Sequence, residues 1–486
     1  MKLSELCRRA QIYCPREKEE LEITAITCDS RKVEKGSMFV CLPGASGGSK
    51  DGTAYCEDAR QRGCAAILCR ENKVGDFLYS NDPLLSMSKL CRAFYGDGIE
   101  KLKLVGVTGT NGKSTCVSLL KHIFEADGKK CASVGTLGCN SGDTEIDRKY
   151  SDLMGKMTTP DPEILYPMLS CLAKNGYEYV FLEASSHALA RKKLSSLEFD
   201  AGIFTNLTRD HLDFHLTKEN YIAAKASLAP LSKRFIVNAD DPASRLICES
   251  AVTCSVNGKG DVNARNVEFT RGGGFKGEFD MYGESVYVES KLVGDYHVMN
   301  ALECFACAKL LGVQSERAAK GIKDFCGVPG RSERVLYDEK SNISVYIDYA
   351  HTPDSLEKLL LSMRRMHPEN RLTLLFGCGG DRDRGKRKIM GIIASSLADF
   401  TVVTSDNPRS EKRELIINDI LKGIDKEKPY TVIESRSEAI KYVIENVRKN
   451  ETVVLAGKGH EKYEIDGEGI HPFDEKAIVL REWRKR

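Results

Sequence analysis

The chain has 486 residues, of which 41% are hydrophobic and 29% charged, and its 72 Lys and Arg nearly balance 70 Asp and Glu. This length exceeds what one hydrophobic core serves, so we expect several domains. The small net charge argues against nucleic acid or a membrane surface as a partner, and the absence of an apolar amino-terminal segment or a membrane-length apolar run predicts a cytoplasmic protein.

Two patterns raise the question of a zinc site. Cys304 and Cys307 are the only close pair among 18 cysteines, and zinc would need a second pair at matching spacing. Their segment has a helical apolar period, so we predict buried, reduced thiols. His211 and His215 stand four apart, but no Glu follows His211 as in HExxH and no third ligand is identifiable, which argues against zinc.

The order of predicted elements indicates three α/β domains. Residues 1–98 mix strand-like and charged helical segments and predict a small α/β domain. In residues 99–330 buried strands alternate with helices, which predicts a doubly wound, mostly parallel sheet. Period-2 patterns over residues 262–293 predict antiparallel hairpins at its edge. After a hinge near Gly330, residues 331–486 predict a Rossmann-like domain whose four apolar strands run into polar loops, the place where open α/β sheets bind ligands.

The segment GVTGTNGKST, residues 106–115, predicts a phosphate site. It departs from the strict G-x-x-x-x-G-K-[ST] pattern, which would need glycine in place of Val107. Three glycines are expected to let the backbone turn so that its N–H groups face one anion: Gly106, Gly109 and Gly112. Lys113 offers a point charge for the outer phosphates and Ser114 a hydroxyl for Mg²⁺, at the start of an amphipathic helix. Strand, glycine loop and helix in this order predict a site for the phosphates of a nucleotide.

The GTNGKS loop resembles the ATP-binding signature of the Mur ligase family, whose members couple ATP cleavage to the joining of a carboxylate and an amine. Glu183 at the end of a buried strand, His211 in TNLTRDHLDFH and Lys225 on a helix also match the family. The resemblance implies that these three residues and Lys113 are catalytic. It further implies that ATP and Mg²⁺ are the cofactors, with Ser114, Glu183, His211 and a carbamylated Lys225 beside the metal.

The resemblance also implies a set of contacts to ATP. Asn300, Arg331 and Asp348 match residues that contact adenine, phosphate and ribose, respectively. The other implied contacts lie in the glycine loop: Gly109, Thr110, Asn111, Gly112, Lys113, Ser114 and Thr115.

The segment ITCDSRKVEKGSMFVCLPG is similar to the UDP-binding domain of the MurE group, whose members add the third amino acid in peptidoglycan precursor synthesis. This similarity implies UDP-MurNAc-L-Ala-D-Glu as a substrate. Its implied contacts are Ser30, Thr158, Thr159, Ser185, Arg191 and Lys193. The chain departs from the group at Lys193, where Arg is frequent, because Lys keeps the charge but loses the planar fork.

The segment TSDNPRSE is similar to the signature of enzymes that add meso-diaminopimelate. Diaminopimelate carries a far carboxylate that lysine lacks, and Arg409 offers it a bidentate fork. Arg382 is implied to bind the near carboxylate and Glu461 the distant ammonium. The implied site is completed by Asp406, Asn407, Pro408 and Gly457. The charged run from Arg384 to Lys388 is expected to be solvated.

The resemblance implies acyl-phosphate chemistry by a monomer. The γ-carboxylate of D-Glu would attack the γ-phosphate of ATP, and the diaminopimelate amine would then displace phosphate from the acyl carbon. One alternative is the same ligase adding L-lysine or ornithine, which Arg409 argues against. A folate or muramyl-recycling ligase is a second, and the DSR-containing amino-terminal domain argues against the folate enzymes. A non-catalytic nucleotide-binding regulatory protein is the third, and the intact catalytic set argues against it.

Overall fold

A computed structural model describes residues 1–44, 50–70, 77–208, 210–270 and 273–486. The chain forms two compact units, Met1–Asn263 with Leu302–Gly321 and Ala264–Ala301 with Ile322–Arg486. The three-domain division with boundaries at residues 98 and 330 therefore stays a prediction. No helix among the described residues is long and apolar enough to cross a membrane.

The first unit begins with a four-stranded sheet in the order β1-β2-β3-β4, and all its pairings are parallel. Its strands are β1 (Ala25–Thr27), β2 (Ser37–Val40), β3 (Ala66–Cys69) and β4 (Phe77–Tyr79). Its helices are α1 (Leu3–Ala10), α2 (Cys56–Gln61) and α3 (Pro83–Tyr95). The apolar segments predicted β2 and β3, whereas β1 and β4 are too short to show a sequence period.

The larger sheet of the first unit runs in the order β12-β11-β10-β9-β5-β8-β6-β7. Its strands are β5 (Lys103–Thr108), β6 (Cys131–Gly135), β7 (Gly138–Asn140), β8 (Tyr179–Glu183), β9 (Ala201–Phe204), β10 (Phe235–Asn238), β11 (Val252–Ser255) and β12 (Val262–Phe269). Every pairing is parallel except β6 with β7. The predicted mostly parallel sheet is confirmed, and β5 leads into the glycine loop from between β8 and β9.

Further helices lie between residues 113 and 324. They are α4 (Lys113–Ala126), α5 (Thr144–Met154), α6 (Pro162–Lys174), α7 (Ser186–Ala190), α8 (Leu212–His215), α9 (Lys218–Ala226), α10 (Ser244–Ile247), α11 (Tyr296–Leu310) and α12 (Ser315–Asp324). Phe124 of α4 packs on Phe181 of β8 with ring centroids 5.2 Å apart. Cys304 and Cys307 are buried on α11, so the prediction of buried thiols on a helix is confirmed. Short 3₁₀ segments lie at Arg16–Lys18, Ser30–Lys32, Gly52–Tyr55, Ile99–Lys101 and Ala229–Leu231.

The second unit contains a hairpin, a six-stranded sheet and a small strand pair. The hairpin joins β13 (Phe275–Met281) to β14 (Glu284–Ser290) in antiparallel register, as predicted, although Arg271 and Gly272 of the predicted region lie outside the described residues. The sheet strands are β15 (Glu333–Asp338), β16 (Ile343–Asp348), β17 (Arg371–Phe376), β18 (Phe400–Val403), β19 (Tyr430–Val432) and β20 (Glu451–Ala456). The small antiparallel pair is β21 (Tyr463–Asp466) and β22 (Gly469–Pro472).

The six-stranded sheet has the order β15-β16-β20-β17-β18-β19, and only β15 pairs antiparallel. Its helices are α13 (Pro353–Met366), α14 (Gly385–Leu397), α15 (Arg413–Leu421), α16 (Arg436–Asn446) and α17 (Glu475–Lys485). One apolar core packs α13, α14 and α15 on the sheet, and a second packs α16 and α17. The four strands predicted from apolar runs are the adjacent β16, β20, β17 and β18, so their polar loops leave one edge of the sheet.

Arg436 donates hydrogen bonds to the backbone at the carboxyl ends of two of these strands, β18 and β20. Its side chain is 0% exposed, and its Nε donates to Glu475 Oε1 over 2.7 Å. Its Nη2 donates to the Ala456 carbonyl over 2.9 Å and its Nη1 to the Ser405 carbonyl over 3.3 Å. The guanidinium therefore satisfies two backbone carbonyls that the sheet ladder leaves without donors.

We expect Arg436→Met to lower the free energy of unfolding of the second unit by about 3–5 kcal/mol, because Glu475 would stay buried without a counter-charge. Urea unfolding followed by circular dichroism measures this. Lys441→Met on the same helix is the control, since Lys441 is 45% exposed and should leave stability nearly unchanged. Equal unfolding midpoints for both variants would contradict the role given to Arg436.

Candidate active site

Two glycines shape the loop between β5 and α4. Gly109 has φ +145° and Gly112 φ +91°, where glycine is favoured over residues with a Cβ. A Cβ on Gly109 would lie 2.0 Å from Thr205 Oγ1, so the loop backbone touches the segment after β9. The turn role predicted for Gly106 is wrong. Gly106 lies within β5, where a Cβ would stand 3.1 Å from the Phe199 ring. The absence of a side chain at Gly106 therefore lets β5 pack closely against Phe199.

The segment after β9 fixes the glycine loop by hydrogen bonds. Asn206 Oδ1 accepts from the Asn111 N–H over 2.9 Å, and Asn206 Nδ2 donates to the Asn111 carbonyl over 3.2 Å. Thr205 Oγ1 donates to the same carbonyl over 2.6 Å. On the other side, the Thr110 hydroxyl lies 3.0 Å from the Tyr221 hydroxyl of α9. The loop is thus held in shape by side chains on two neighbouring elements.

Two lysines converge on the Gly109 carbonyl. Lys113 Nζ donates to it over 2.9 Å and to the Thr110 carbonyl over 2.8 Å. Lys225 Nζ donates to it over 2.6 Å, and Lys225 is 1% exposed on α9. Burial, and then the charge of Lys113, hold the pKa of Lys225 well below its ordinary value, while Asp210 opposes this. Lys225 therefore reaches its neutral amine form at a lower pH than an exposed lysine.

Glu183 places a buried carboxylate at the end of β8. Its Oε1 accepts from the Thr136 N–H over 2.9 Å and its Oε2 from the Thr136 hydroxyl over 3.1 Å. Ser114 is also buried and is the second residue of α4. Within the described ranges, no three His, Cys, Asp or Glu side chains form a metal cage. A carboxylate and a hydroxyl fit Mg²⁺, which binds few protein oxygens and keeps water and substrate phosphates as its other ligands.

His211 lies on the segment before α8. Its φ is +51°, its side chain is 47% exposed, and its Nε2 lies 3.4 Å from Asp210 Oδ2. Its ring meets the His187 ring edge to face at a centroid distance of 4.7 Å. His187 also packs on the His215 ring at 5.6 Å, so three imidazoles form one cluster beside α7.

A chain of hydrogen bonds joins Glu183 to three residues of the predicted UDP-substrate set. The Thr158 hydroxyl lies 3.2 Å from the Thr136 hydroxyl, which itself contacts the Glu183 carboxylate. Thr159 Oγ1 donates to the Glu183 carbonyl over 2.6 Å and lies 3.1 Å from Ser185 Oγ. The structure therefore brings Thr158, Thr159 and Ser185 to the end of β8.

The two predicted cationic substrate residues follow α7. Lys193 Nζ donates to the Thr159 carbonyl over 3.2 Å and pairs with Asp161 Oδ1 at 2.8 Å. Arg191 Nη2 donates to the Pro43 carbonyl over 3.3 Å. Lys193 thus joins the hydrogen-bond chain at the end of β8, and Arg191 reaches the segment after β2.

Ser30 also belongs to the predicted UDP-substrate set, but it lies outside the hydrogen-bond chain at the end of β8. It is buried at the start of the 3₁₀ segment Ser30–Lys32, after Asp29, whose Oδ1 accepts from the Arg31 N–H over 3.0 Å.

In the second unit, Asp348 ends β16 and fixes the turn around Ser332. Its Oδ2 accepts from the Ser332 N–H over 2.6 Å, and its Oδ1 accepts from the Ala350 N–H over 2.7 Å. Burial raises the pKa of Asp348, and the neighbouring Arg331 and these hydrogen bonds oppose the rise. The Arg331 guanidinium lies 4.5 Å from the centre of the Tyr349 ring. The structure thus brings the predicted phosphate and ribose residues together.

Asn300 lies buried on α11, and its Nδ2 is 3.0 Å from His297 Nδ1. Burial lowers the pKa of His297 to about 3, so its imidazole is neutral and Nδ1 can accept from the amide.

The loops after β18 and β20 meet at Asn407. Its Nδ2 donates to Glu461 Oε2 over 2.7 Å. Its Oδ1 accepts from Lys458 Nζ over 2.8 Å and from the Ile465 N–H over 3.0 Å. Lys458 Nζ also lies 3.5 Å from Asp406 Oδ1. Two carboxylates, an amide and a buried ammonium therefore form one cluster.

Arg409 adds a second cation to this cluster. Its Nη1 donates to the Gly380 carbonyl over 2.7 Å and to the Asn407 carbonyl over 3.4 Å. Its φ of +54° is unusual for a residue with a side chain and directs the guanidinium back over the loop. The preceding Pro408 is buried.

Gly457 and Arg382 complete the predicted amino-acid site. Gly457 has φ +116°, and a Cβ there would lie 3.0 Å from Asp406 Oδ2, so a larger residue would crowd the cluster. Its N–H donates to the Asp348 carbonyl over 3.0 Å. Arg382 lies exposed on the loop after β17.

The expectation that the run from Arg384 to Lys388 is solvated is wrong for Arg387. Its side chain is 0% exposed and pairs with Glu411 at 2.8 Å and Asp419 at 3.1 Å. Its Nη2 also donates to the Gly379 carbonyl over 3.2 Å. Because α14 begins within the run, its helical period turns this one residue inward beneath the loop after β17.

Sequence reasoning missed several residues that hold the predicted ones in place. They are Thr136, Asn206, Ser332, Tyr349 and Lys458. Thr136 and Tyr349 come directly after parallel strands and Asn206 comes one residue later, and sequence reasoning could have used that position to find them.

Comparisons with known proteins place the chain in a family. The model of the Mur ligase middle domain matches residues 107–308, and that of the Mur ligase glutamate ligase domain matches residues 330–459. A Clostridium acetobutylicum protein named UDP-N-acetylmuramoyl-L-alanyl-D-glutamate--2,6-diaminopimelate ligase 1 is 40% identical over 471 residues, which are 94% of each chain.

Two solved structures share the fold. A UDP-N-acetylmuramoyl-L-alanyl-D-glutamate--2,6-diaminopimelate ligase has a TM-score of 0.71 and 30% identity, with 100% of this chain and 99% of that chain covered. The MurF ligase of Thermotoga maritima in complex with ADP has a TM-score of 0.60 and 16% identity, with 96% of this chain and 98% of that chain covered.

Proposed function

The chain belongs to the Mur ligase family, and on that premise we propose how its residues add 2,6-diaminopimelate to UDP-MurNAc-L-Ala-D-Glu. It is an ATP-dependent ligase that forms a C–N bond in peptidoglycan precursor synthesis. The observation that supports the proposal most directly is the cluster at Asn407, where one residue contacts both the Glu461 carboxylate and the Arg409 guanidinium.

Asn407 positions the two charges that we assign to the far end of the amino acid. Its side-chain amide holds the Glu461 carboxylate, and its backbone carbonyl accepts from Arg409. The far end of meso-diaminopimelate carries an ammonium and a carboxylate, which match this pair in sign. L-Lysine and ornithine offer only the ammonium, so Arg409 would be left without an anionic partner. We assign the near carboxylate to the exposed Arg382.

At the phosphate site we assign ATP to the glycine loop and to Lys113. The Lys113 ammonium and the amino terminus of α4 offset charge on the phosphates where a second anion, the D-Glu γ-carboxylate, must approach. When bound, Mg²⁺ would neutralise further charge on the phosphates, and Ser114, Glu183 and a carbamylated Lys225 would hold it, with His211 nearby. Asn300, Arg331 and Asp348 would bind the remainder of the nucleotide.

We propose two chemical steps. The γ-carboxylate oxygen of D-Glu forms a bond to the γ-phosphorus while the bond to ADP breaks, which gives an acyl phosphate. The diaminopimelate amine then attacks the acyl carbon, loses a proton, and phosphate leaves. The chain supplies position and charge rather than a covalent nucleophile. Thr158, Thr159, Ser185 and Lys193 are proposed to orient the dipeptide. Thr158 reaches the Glu183 carboxylate through the Thr136 hydroxyl, and Thr159, which contacts Ser185 and Lys193, donates to the Glu183 backbone carbonyl.

The surroundings of Lys225 support its carbamylation. A carbamate forms when a neutral amine attacks carbon dioxide and loses a proton, and burial favours the neutral amine. The product is an oxygen anion next to the glycine loop, which suits Mg²⁺.

We expect Lys225→Ala to lower kcat by at least about 100-fold, as does loss of one preorganised charge in other enzymes. The second readout is ¹³C NMR with ¹³C-labelled carbon dioxide. We expect a carbamate resonance in the wild type and none in the variant. Lys218→Ala, at the exposed start of the same helix, is the control and should keep both. Full activity of Lys225→Ala, or an active wild type without the resonance, would contradict the carbamate.

We expect the wild type to release phosphate from ATP and UDP-MurNAc-L-Ala-D-Glu with meso-diaminopimelate and not with L-lysine, and mass spectrometry should show the tripeptide. Arg409→Ala should lower kcat/KM for diaminopimelate by at least about 100-fold, because a charged hydrogen-bond partner is lost. Lys412→Ala, which is exposed on the same segment, is the control.

Equal turnover of lysine and diaminopimelate by the wild type would refute the role of Arg409 and favour the lysine-adding alternative. ATP binding without product from either amine would favour the non-catalytic nucleotide-binding alternative.

A further inference from the structure

Lys458 lies between the proposed substrate contacts Gly457 and Glu461 and is itself closed off from solvent. Its side chain is 0% exposed, so it is not accessible to a substrate. Nζ donates to Asn407 Oδ1 and to the Tyr463 carbonyl, each over 2.8 Å, and lies 3.5 Å from Asp406 Oδ1. Nζ lies over the Phe473 ring, 5.4 Å from the ring centre. Two of the three oxygens belong to the loop after β18 that forms part of the proposed amino-acid site, and the third belongs to β21.

These contacts determine which way the Asn407 amide faces. An asparagine side chain can exchange its oxygen and nitrogen by rotation, and neighbouring donors decide between the two orientations. Two donors, Lys458 Nζ and the Ile465 N–H, point at the same atom of Asn407, which must therefore be the oxygen. The NH₂ group is left facing Glu461 Oε2 at 2.7 Å.

We propose that Lys458 is a positioning residue for amino-acid recognition: it fixes the Asn407 amide with its NH₂ toward Glu461, and so aims the Glu461 carboxylate at the ammonium on the far end of the amino acid. The assignment of that ammonium rests on the proposed function. Without Lys458, only the Ile465 N–H restrains Oδ1, so the amide turns more freely and its NH₂ group no longer holds the Glu461 carboxylate in one direction.

A packing role alone does not account for a lysine at this place. Burying an ammonium costs solvation free energy, which an unbranched apolar side chain of the same length would not incur. Asp406 offsets part of that cost through the 3.5 Å ion pair. The donor function toward Asn407 and the Tyr463 carbonyl is what methionine would lack.

Two substitutions of Lys458 distinguish the loss of its hydrogen-bond donor from a change in packing. Lys458→Met keeps length and apolar volume but has no donor, whereas Lys458→Gln keeps an N–H donor and loses the charge. We expect Lys458→Met to raise KM for meso-diaminopimelate about 30- to 100-fold, and Lys458→Gln about three- to tenfold. KM for ATP and for UDP-MurNAc-L-Ala-D-Glu should stay within twofold of wild type in both. Lys462→Met is the matched control, because Lys462 is 80% exposed in the same segment.

The pH profile gives a second readout that packing would not move. Burial raises the pKa of Glu461, the Asn407 hydrogen bond lowers it, Asp406 raises it, and Lys458 and Arg409 lower it. Tyr349 and Tyr463 also face this carboxylate. Removal of the Lys458 charge takes away a lowering influence, so the acidic limb of kcat/KM for the amino acid should move to higher pH in both variants.

The inference is overturned if Lys458→Met binds diaminopimelate as well as Lys458→Gln does, or if KM for all three substrates rises together. If Lys458→Met does not fold, Lys458→Gln alone decides: a threefold or larger rise in KM for the amino acid together with the shifted acidic limb supports the inference, and any other result overturns it. The wild type is assayed first. A wild type without product would mean that the proposed function has failed, whereas an active wild type with unaffected variants would mean that only the role of Lys458 has failed.

Discussion

The loops that follow parallel strands leave a sheet at one edge, and in both units of this chain buried lysine or arginine side chains donate hydrogen bonds to the backbone there. Lys225 donates to the Gly109 carbonyl in the first unit, and Arg436 donates to the Ala456 carbonyl in the second. In the second unit Lys458 donates to the Tyr463 carbonyl and Arg387 to the Gly379 carbonyl. A loop that binds an anion turns its N–H groups toward the anion and its carbonyls away from it, and a donor on the carbonyl side stabilises that orientation.

The proposed reaction gives Lys113 and Lys225 different chemical roles. Lys113 lies at the start of α4 beside the proposed phosphate site, whereas burial and then the charge of Lys113 lower the pKa of Lys225. Two lysines that share one carbonyl oxygen can therefore take different roles, one as a cation and the other as the amine from which a carbamate forms. In the second unit the opposite charges of Glu461 and Arg409, both held by Asn407, match an amino acid whose far end is a zwitterion.

The sequence predicted the strands β16, β17, β18 and β20 and the glycine loop, because long apolar runs followed by polar, glycine-containing loops are distinctive. It did not predict β1 and β4, which have three residues each and show no period. The roles of the site residues came from resemblance rather than from physics. Buried cations such as Arg387 and Lys458 were missed because a lysine or arginine is usually exposed, and only tertiary contacts show which one is inside.

Transfer of oxygen from substrate to phosphate tests the central claim, that ATP activates the D-Glu carboxylate before the amine attacks. The measurement uses UDP-MurNAc-L-Ala-D-Glu with ¹⁸O in the γ-carboxylate, ATP and meso-diaminopimelate, and mass analysis of the released phosphate. An acyl phosphate requires one ¹⁸O atom in each phosphate released with an amide bond. Amide formation with unlabelled phosphate would contradict the mechanism, because the carboxylate oxygen would then never have been bonded to phosphorus.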